Sequence, residues 1–172
     1  MTGQADAVKV ELTTTEWIQA MSVGCMRAAK ARAGGLTQRW GGRPEWSDAN
    51  HILGATGEAL VAKHFGVFWL GTGEVGGPDV GGIQVRANRR PSDSLMLHES
   101  DANGAVFVAV TTVEGRGLLR GWIHGREGKR REWWRDPTGH GRPAFFVPDD
   151  ALRPMAGLCV VGGQIVTVEG SV

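Results

Sequence analysis

The stretch GPDVGGIQVR, residues 77–86, decides how this chain is read. A Pro-Asp pair precedes a run in which Ile83, Gln84, Val85 and Arg86 alternate apolar and polar, the period of a half-buried strand. Gln84 and Arg86 then share one face and Ile83 and Val85 the other, so two polar groups project beside Asp79. The preceding GTGEVG, residues 71–76, matches a dinucleotide-binding glycine pattern literally. Its context excludes that reading, because a strand follows it and not a helix that could point its N-terminus at a pyrophosphate.

Upstream, Ser47 or Asp48 can cap a helix that runs to Phe65 and stops at Gly66. Ile52, Ala55, Ala59 and Ala62 form its apolar face, widened by Leu53 and Leu60. Glu58 falls on the border of that face, near His51 and Phe65, as a carboxylate at the edge of the buried stripe; the plainer alternative is a surface ion pair with Lys63. With Glu58 arriving from the helix, Asp79, Gln84 and Arg86 complete a set of the type that holds a divalent metal against a phosphate. Taken singly, each has an ordinary explanation: a turn-capping Asp79, an edge-strand Gln84, and a solvated cationic face of Arg86, Arg89 and Arg90.

Further toward the N-terminus, Thr13 and Glu16 form a capping-box pattern for a first helix over 13–33, with Trp17, Met21, Cys25 and Ala28 at helical spacing and Gly34-Gly35 as its end. Trp40 and Trp46 sit in a turn-rich connection and are expected to pin that loop to the core. After Gly66 the pattern predicts strands over 67–71, 83–88, 94–98, 105–113, 118–125 and 144–147, and two more around Gly162-Gly163. REGKRREWW, residues 126–134, predicts a short basic helix. On it Arg126, Lys129 and Arg130 share a face, with Trp133 one turn on, a combination suited to phosphate contacts and base stacking or, equally, to a solvated face over a core tryptophan. Trp122 reads as core, and His124 and His140 as groups that could support a site from behind.

At 172 residues the chain is long enough for one domain with a hydrophobic core and short for two. Hydrophobic residues at 41% and charged residues at 22% exclude a disordered chain, and the 27 glycines follow no three-residue period, which excludes a collagen-like one. A net charge of +1 shows no bulk cationic character, so local charge must be read instead. The stretch from Glu45 to Gln84 is acidic, with Lys63 as its one Lys or Arg, whereas Arg116 to Arg142 is basic. Acidic followed by basic is the order that a cation-dependent site acting on a polyanion needs. Cys25 and Cys159 lie far apart without a CxxC, which argues against a disulfide framework or a zinc site. No apolar run is long enough to span a membrane, and the N-terminus lacks the pattern of a secretion signal, so a cytoplasmic location is expected.

The order GATGEALVAKHFG, PDVGGIQVR, GWIHGREGKR and RPAFFVPDDALRP, from about Ala49 to Pro154, resembles the PD-(D/E)XK nuclease superfamily, especially small phage-encoded members. The resemblance implies a restriction-endonuclease-like α/β core, a central mixed sheet flanked by helices, within a single domain 1–172. Residues 1–47 then form an N-terminal helix and loop, 48–154 the nuclease-like core and 155–172 a C-terminal strand extension. It also implies hydrolysis of nucleic-acid phosphodiesters, DNA before RNA, with Mg²⁺ or Mn²⁺. Asp79, Glu58 and Gln84 would hold the metal, Arg86 would support the transition state, and Arg89, Arg90, Arg126, Lys129 and Arg130 would contact nucleic acid. A homodimer is compatible with this, and a phage-encoded chain would work in the host cytoplasm. Two departures stand out. Gln84 replaces an acidic ligand with a neutral amide, and Arg86 replaces a lysine with a guanidinium that cannot act as a base. Both leave open the alternative of a catalytically inactive nuclease fold that binds DNA or serves a phage as a regulatory or interaction protein.

Overall fold

The computed structural model describes residues 7–34, 47–72, 78–137, 139 and 141–168. Trp40, Trp46, His140 and most of GTGEVG lie outside the described residues. The chain forms β1 (Val8–Glu11), α1 (Thr14–Ala33), α2 (Ser47–Phe65), β2 (Gln84–Asn88), β3 (Leu95–Leu97), β4 (Val106–Val113), β5 (Arg116–His124) and a single helical turn α3 (Gly125–Gly128). It continues as β6 (Trp134–Arg135), β7 (Ala144–Val147), β8 (Leu158–Val161) and β9 (Gln164–Thr167).

A central mixed sheet has the order β1-β5-β4-β2. β4 and β5 form an antiparallel hairpin, β1 adds antiparallel to β5, and β2 runs parallel to β4 at the edge. A parallel neighbour cannot be reached by a tight turn. The intervening chain leaves the sheet to form β3, which pairs with β7 in a second sheet of order β3-β7-β6.

Alternation along β4 divides the core. Val106, Val108 and Val110 join Ala59, Leu60, Val61 and Ala62 of α2 on one side. Phe107 and Ala109 face the other way, toward Leu95, Leu97 and Val147 of the second sheet. A bulge in β5 keeps both sides in register: the pairing shifts between Ala109 and Val110, so Leu119 and Trp122 both face the helical side. Gly121 makes the bulge with φ 144, and a Cβ there would lie 2.6 Å from the Arg153 carbonyl oxygen.

The expected apolar stripe of α2 is corrected. Every residue from Ala55 to Ala62 is buried, Glu58 included, because α2 lies between α1 and the sheet. On α1 the buried residues are Ala20, Val23, Gly24, Ala28 and Ala31, and Cys25 is exposed. Gly24 allows the close approach of the two helices, since a Cβ there would lie 2.4 Å from Ile52 Cα. Two further expectations change. Residues 67–71 alternate in exposure but form no strand, leaving Phe68 85% exposed. The basic segment is not one helix: α3 ends at Gly128, and residues 131–133 form a separate 3₁₀ turn. Arg126, Lys129 and Arg130 therefore do not share a helical face.

Candidate functional site

The site grows from the start of β2. Asp79 closes a tight turn, its backbone N–H donating to Ile83 O at 2.9 Å. Its Oδ2 accepts the Val85 N–H at 2.7 Å, which folds the carboxylate over the first residues of the strand. A Cβ at Gly57 of α2 would lie 2.8 Å from Ala87 Cβ and 3.4 Å from Val85 Cγ1. Val85 and Ala87 thus face α2, and Gln84 and Arg86 face away from it, as the alternation predicted.

Glu58 comes from the helical side. Although only 3% exposed, it is heavily bonded. Arg27 Nη1 donates to Oε1, Arg27 Nη2 donates to Oε2 at 2.8 Å, and Trp69 Nε1 donates to Oε2 at 3.0 Å. A bidentate guanidinium is the donor best matched to a carboxylate taken out of water. The Lys63 alternative does not occur: Lys63 pairs with Glu16 at 2.6 Å.

Electrostatics tie Glu58 to Asp79. The Asp79 carboxyl is pushed up from 3.8 to about 6, first by burial and then by the Glu58 charge, against the opposing pull of the Val85 N–H, Arg86 and Arg27. Two carboxylates sit in one partly dry neighbourhood, and one resists ionisation.

Arg86 lies on the other side of β2. Its guanidinium is stacked over the Phe107 ring, 5.0 Å from the centroid. Nη2 donates to Asp101 Oδ1 at 3.0 Å, and Nη1 lies 3.5 Å from Gln84 Oε1. Gln84, Asp101 and Phe107 line a cleft of about 470 Å³ together with Pro78, Gly82, Ser100, Ala102 and Ala105. The expected set is therefore arranged in two halves, Glu58 with Arg27 on the helical side and Gln84 with Arg86 on the cleft side. Asp79 stands at the strand end between them, within electrostatic reach of Glu58 and Arg86 alike.

Among the expected nucleic-acid contacts, Arg89, Arg90, Arg126 and Arg130 are exposed. Arg130 lies 3.8 Å from Glu132 and over the Trp133 ring. Lys129 is spent internally: Nζ donates to Glu99 O at 2.8 Å, to Asn103 Oδ1 at 3.0 Å and to Asp101 O. Trp133 packs against the core of the second sheet, and Trp134 is the more exposed of the two. Trp122 is core, as expected, with Nε1 donating to Pro154 O at 2.9 Å. His124 lies edge-on to its ring, 5.4 Å between centroids.

Sequence reading missed Arg27 and Asp101. Arg27 had a signal, because it recurs with Ala20, Gly24 and Ala31 at helical spacing and so falls on the buried side of α1. Asp101 had none, since ESDANG reads only as a turn.

A Mg²⁺ or Mn²⁺ ion is bound through oxygen, in many sites by one or two carboxylates with several retained waters. Among the described residues no three His, Cys, Asp or Glu side chains gather to hold a metal ion. Asp79 fits that sparser arrangement, because a carboxylate that accepts one backbone N–H keeps further acceptor sites, and Gln84 offers an amide oxygen in the neighbouring cleft. Glu58, with Arg27 across both oxygens, fits as a neighbouring charge rather than as a ligand. No family model, curated protein or solved structure matches this chain.

Proposed function

We propose that the protein is a metal-dependent nuclease with a restriction-endonuclease-like core, acting on nucleic-acid phosphodiesters and on DNA before RNA. One observation carries the reading: a half-buried Asp79 carboxyl, raised to about 6 by desolvation and the Glu58 charge, ahead of an edge strand whose first residue, Gln84, lines a cleft. Perturbed carboxyls of this kind concentrate at functional sites.

On this reading Asp79 and Gln84 would hold Mg²⁺ or Mn²⁺, which would supply Lewis acidity at a phosphoryl oxygen. Burial and the Glu58 charge make the Asp79 carboxylate more basic, which favours its coordination to a cation over free ionisation. Arg86, always charged, faces the phosphoryl oxygens where charge builds during attack. Arg27 holds Glu58 in place through both carboxylate oxygens. Arg89, Arg90, Arg126 and Arg130 offer exposed charges to flanking phosphates.

A second reading, an inactive nuclease fold that binds nucleic acid, is favoured by the closed Arg27–Glu58 pair. Incubation of DNA with wild type and Asp79→Ala, with Mn²⁺ and with chelator, separates the two. The nuclease reading expects cleavage by wild type with Mn²⁺ alone and none by the variant. Salt-sensitive DNA binding without cleavage would establish the second reading.

A further inference from the structure

We infer that Asp101 is a positioning residue for Arg86, and that Lys129 serves the same end by clamping the loop that carries Asp101. The inference deepens the proposed function and rests on it for its catalytic consequence.

Arg86 is the one cation among the residues of β2, and a long side chain on an edge strand has several rotamers open to it. Three contacts select one. Phe107 supports the guanidinium face, Gln84 lies beside Nη1, and Asp101 Oδ1 takes Nη2 at 3.0 Å. Asp101 is itself fixed from behind, because its Oδ2 accepts the His98 N–H at 2.9 Å. One carboxylate thereby closes its own loop and orients the arginine. The loop is tied again by Lys129, whose ammonium gathers Glu99 O, Asp101 O and Asn103 Oδ1. Backbone bonds from Asp101 N to His98 O at 3.1 Å and from Arg126 N to Asn103 O at 2.9 Å complete it.

Sequence order hides this relay. Lys129 sits in the most basic stretch of the chain and reads as a phosphate contact. In the structure it is an internal brace, 28 residues from the loop it holds. Asp101 lines the same cleft as Gln84 and Phe107. Preorganised charge of this kind acts in the transition state without reorganisation cost, and misorienting it lowers turnover more than affinity.

The test compares wild type with Asp101→Asn, Arg86→Ala and the double variant. Asparagine keeps an acceptor for the His98 N–H and removes the charge that holds Arg86. Side-chain ¹⁵N–¹H NMR reads the positioning directly and needs no activity: slowed rotation about the Arg86 guanidinium in wild type should become fast averaging in Asp101→Asn. In Mn²⁺-dependent cleavage, Arg86→Ala is expected to lose about 10²-fold in kcat. Asp101→Asn is expected to lose roughly tenfold in kcat with little change in KM, and nothing further in the Arg86→Ala background. Lys129→Met should loosen Arg86 in the same NMR measurement. An Arg86 signal unchanged by Asp101→Asn, or an additive loss in the double variant, overturns the inference. Absence of cleavage by wild type overturns the nuclease reading alone, and the NMR result still decides Asp101.

Discussion

Replacing Asp79 by Asn probes the centre of the site through stability, without any assumption about substrate. The carboxyl is raised from 3.8 to about 6, a shift of about two units, worth roughly 3 kcal/mol at 1.36 kcal/mol per unit. The sign follows from where the proton is bound. Below about pH 4 the group is protonated in folded and unfolded chains, and its folded environment carries no charge penalty. Between 4 and 6 the unfolded chain ionises while the folded one holds its proton. Above 6 both are ionised, and the folded state bears the full cost of a buried charge beside Glu58. The contribution of Asp79 is therefore fully present below the unfolded pKa and is lost as pH rises through the folded one.

Asparagine cannot ionise and keeps an oxygen for the Val85 N–H. Urea unfolding of both proteins from pH 4 to 8 should show the variant gaining on wild type by about 3 kcal/mol across that window, with flat differences on either side. In thermal unfolding this corresponds to roughly 6–12 °C for a chain of this size. Taking the difference cancels the titrating groups not coupled to Asp79, including His51 and His64, whose lowered values from burial also make stability depend on pH. Mn²⁺ should remove the wild-type disadvantage at pH 7.5, because a cation bound to the folded state offsets the cost of ionisation, and it should leave Asp79→Asn unaffected. A difference independent of pH, or one that favours wild type as pH rises, would refute the assignment of a raised Asp79.

Two other substitutions test its neighbours. Glu58→Gln leaves the Arg27 guanidinium half-buried against a neutral amide and should cost roughly 3–5 kcal/mol at pH 7 by urea unfolding; it should also make the Asp79 difference shallower, since the Glu58 charge is the second cause of the shift. Gln84→Glu adds a charged oxygen beside Asp79 and should tighten Mn²⁺ binding measured by calorimetry, and unchanged affinity would remove Gln84 from the metal site.

What the sequence revealed depended on how local the physics was. The capping box of α1 forms as read, with Thr13 N donating to Glu16 Oε2 at 2.6 Å and Glu16 N to Thr13 Oγ1 at 3.3 Å, because its partners are three residues apart. The faces of β2 follow from alternation alone, and the Gly162-Gly163 hairpin follows from its turn. Residues 67–71 form an apolar run that reads as a strand but pair with no strand among the described residues, and composition cannot report the absence of a neighbour. The basic segment fails as a helix for a tertiary reason: a Cβ at Gly128 would meet Leu97 Cδ1 at 2.3 Å, and Lys129 turns aside to the loop at 99–103. Glu58 was placed at a stripe's edge because the periodicity of α2 could not show that α1 covers its outer side. The relation of Arg27 to Glu58, 31 residues apart, and of Arg86 to Asp101, 15 apart, lies beyond any local pattern.

On the proposed reading, those two pairs also make Gln84 and Arg86 compatible with one another as departures from the motif the sequence resembles. Arg27 offsets Glu58 and Arg86 offsets Asp101, so these two cations are already paired before Asp79 is counted. With Asp79 ionised, the five groups sum to one negative charge. An acidic residue at position 84 would raise that to two, in a place where one carboxyl already resists ionisation. The neutral amide of Gln84 supplies an oxygen without that cost. On the proposed reading a divalent cation brings the sum to one positive charge, and a phosphodiester brings it to zero. Arg86 belongs in the same balance, because a guanidinium is a permanent charge with a planar fork that matches a carboxylate or a phosphate. On the proposed reading Gln84 and Arg86 thus form a matched pair, the first limiting negative charge near Asp79 and the second fixing positive charge where a phosphate would sit.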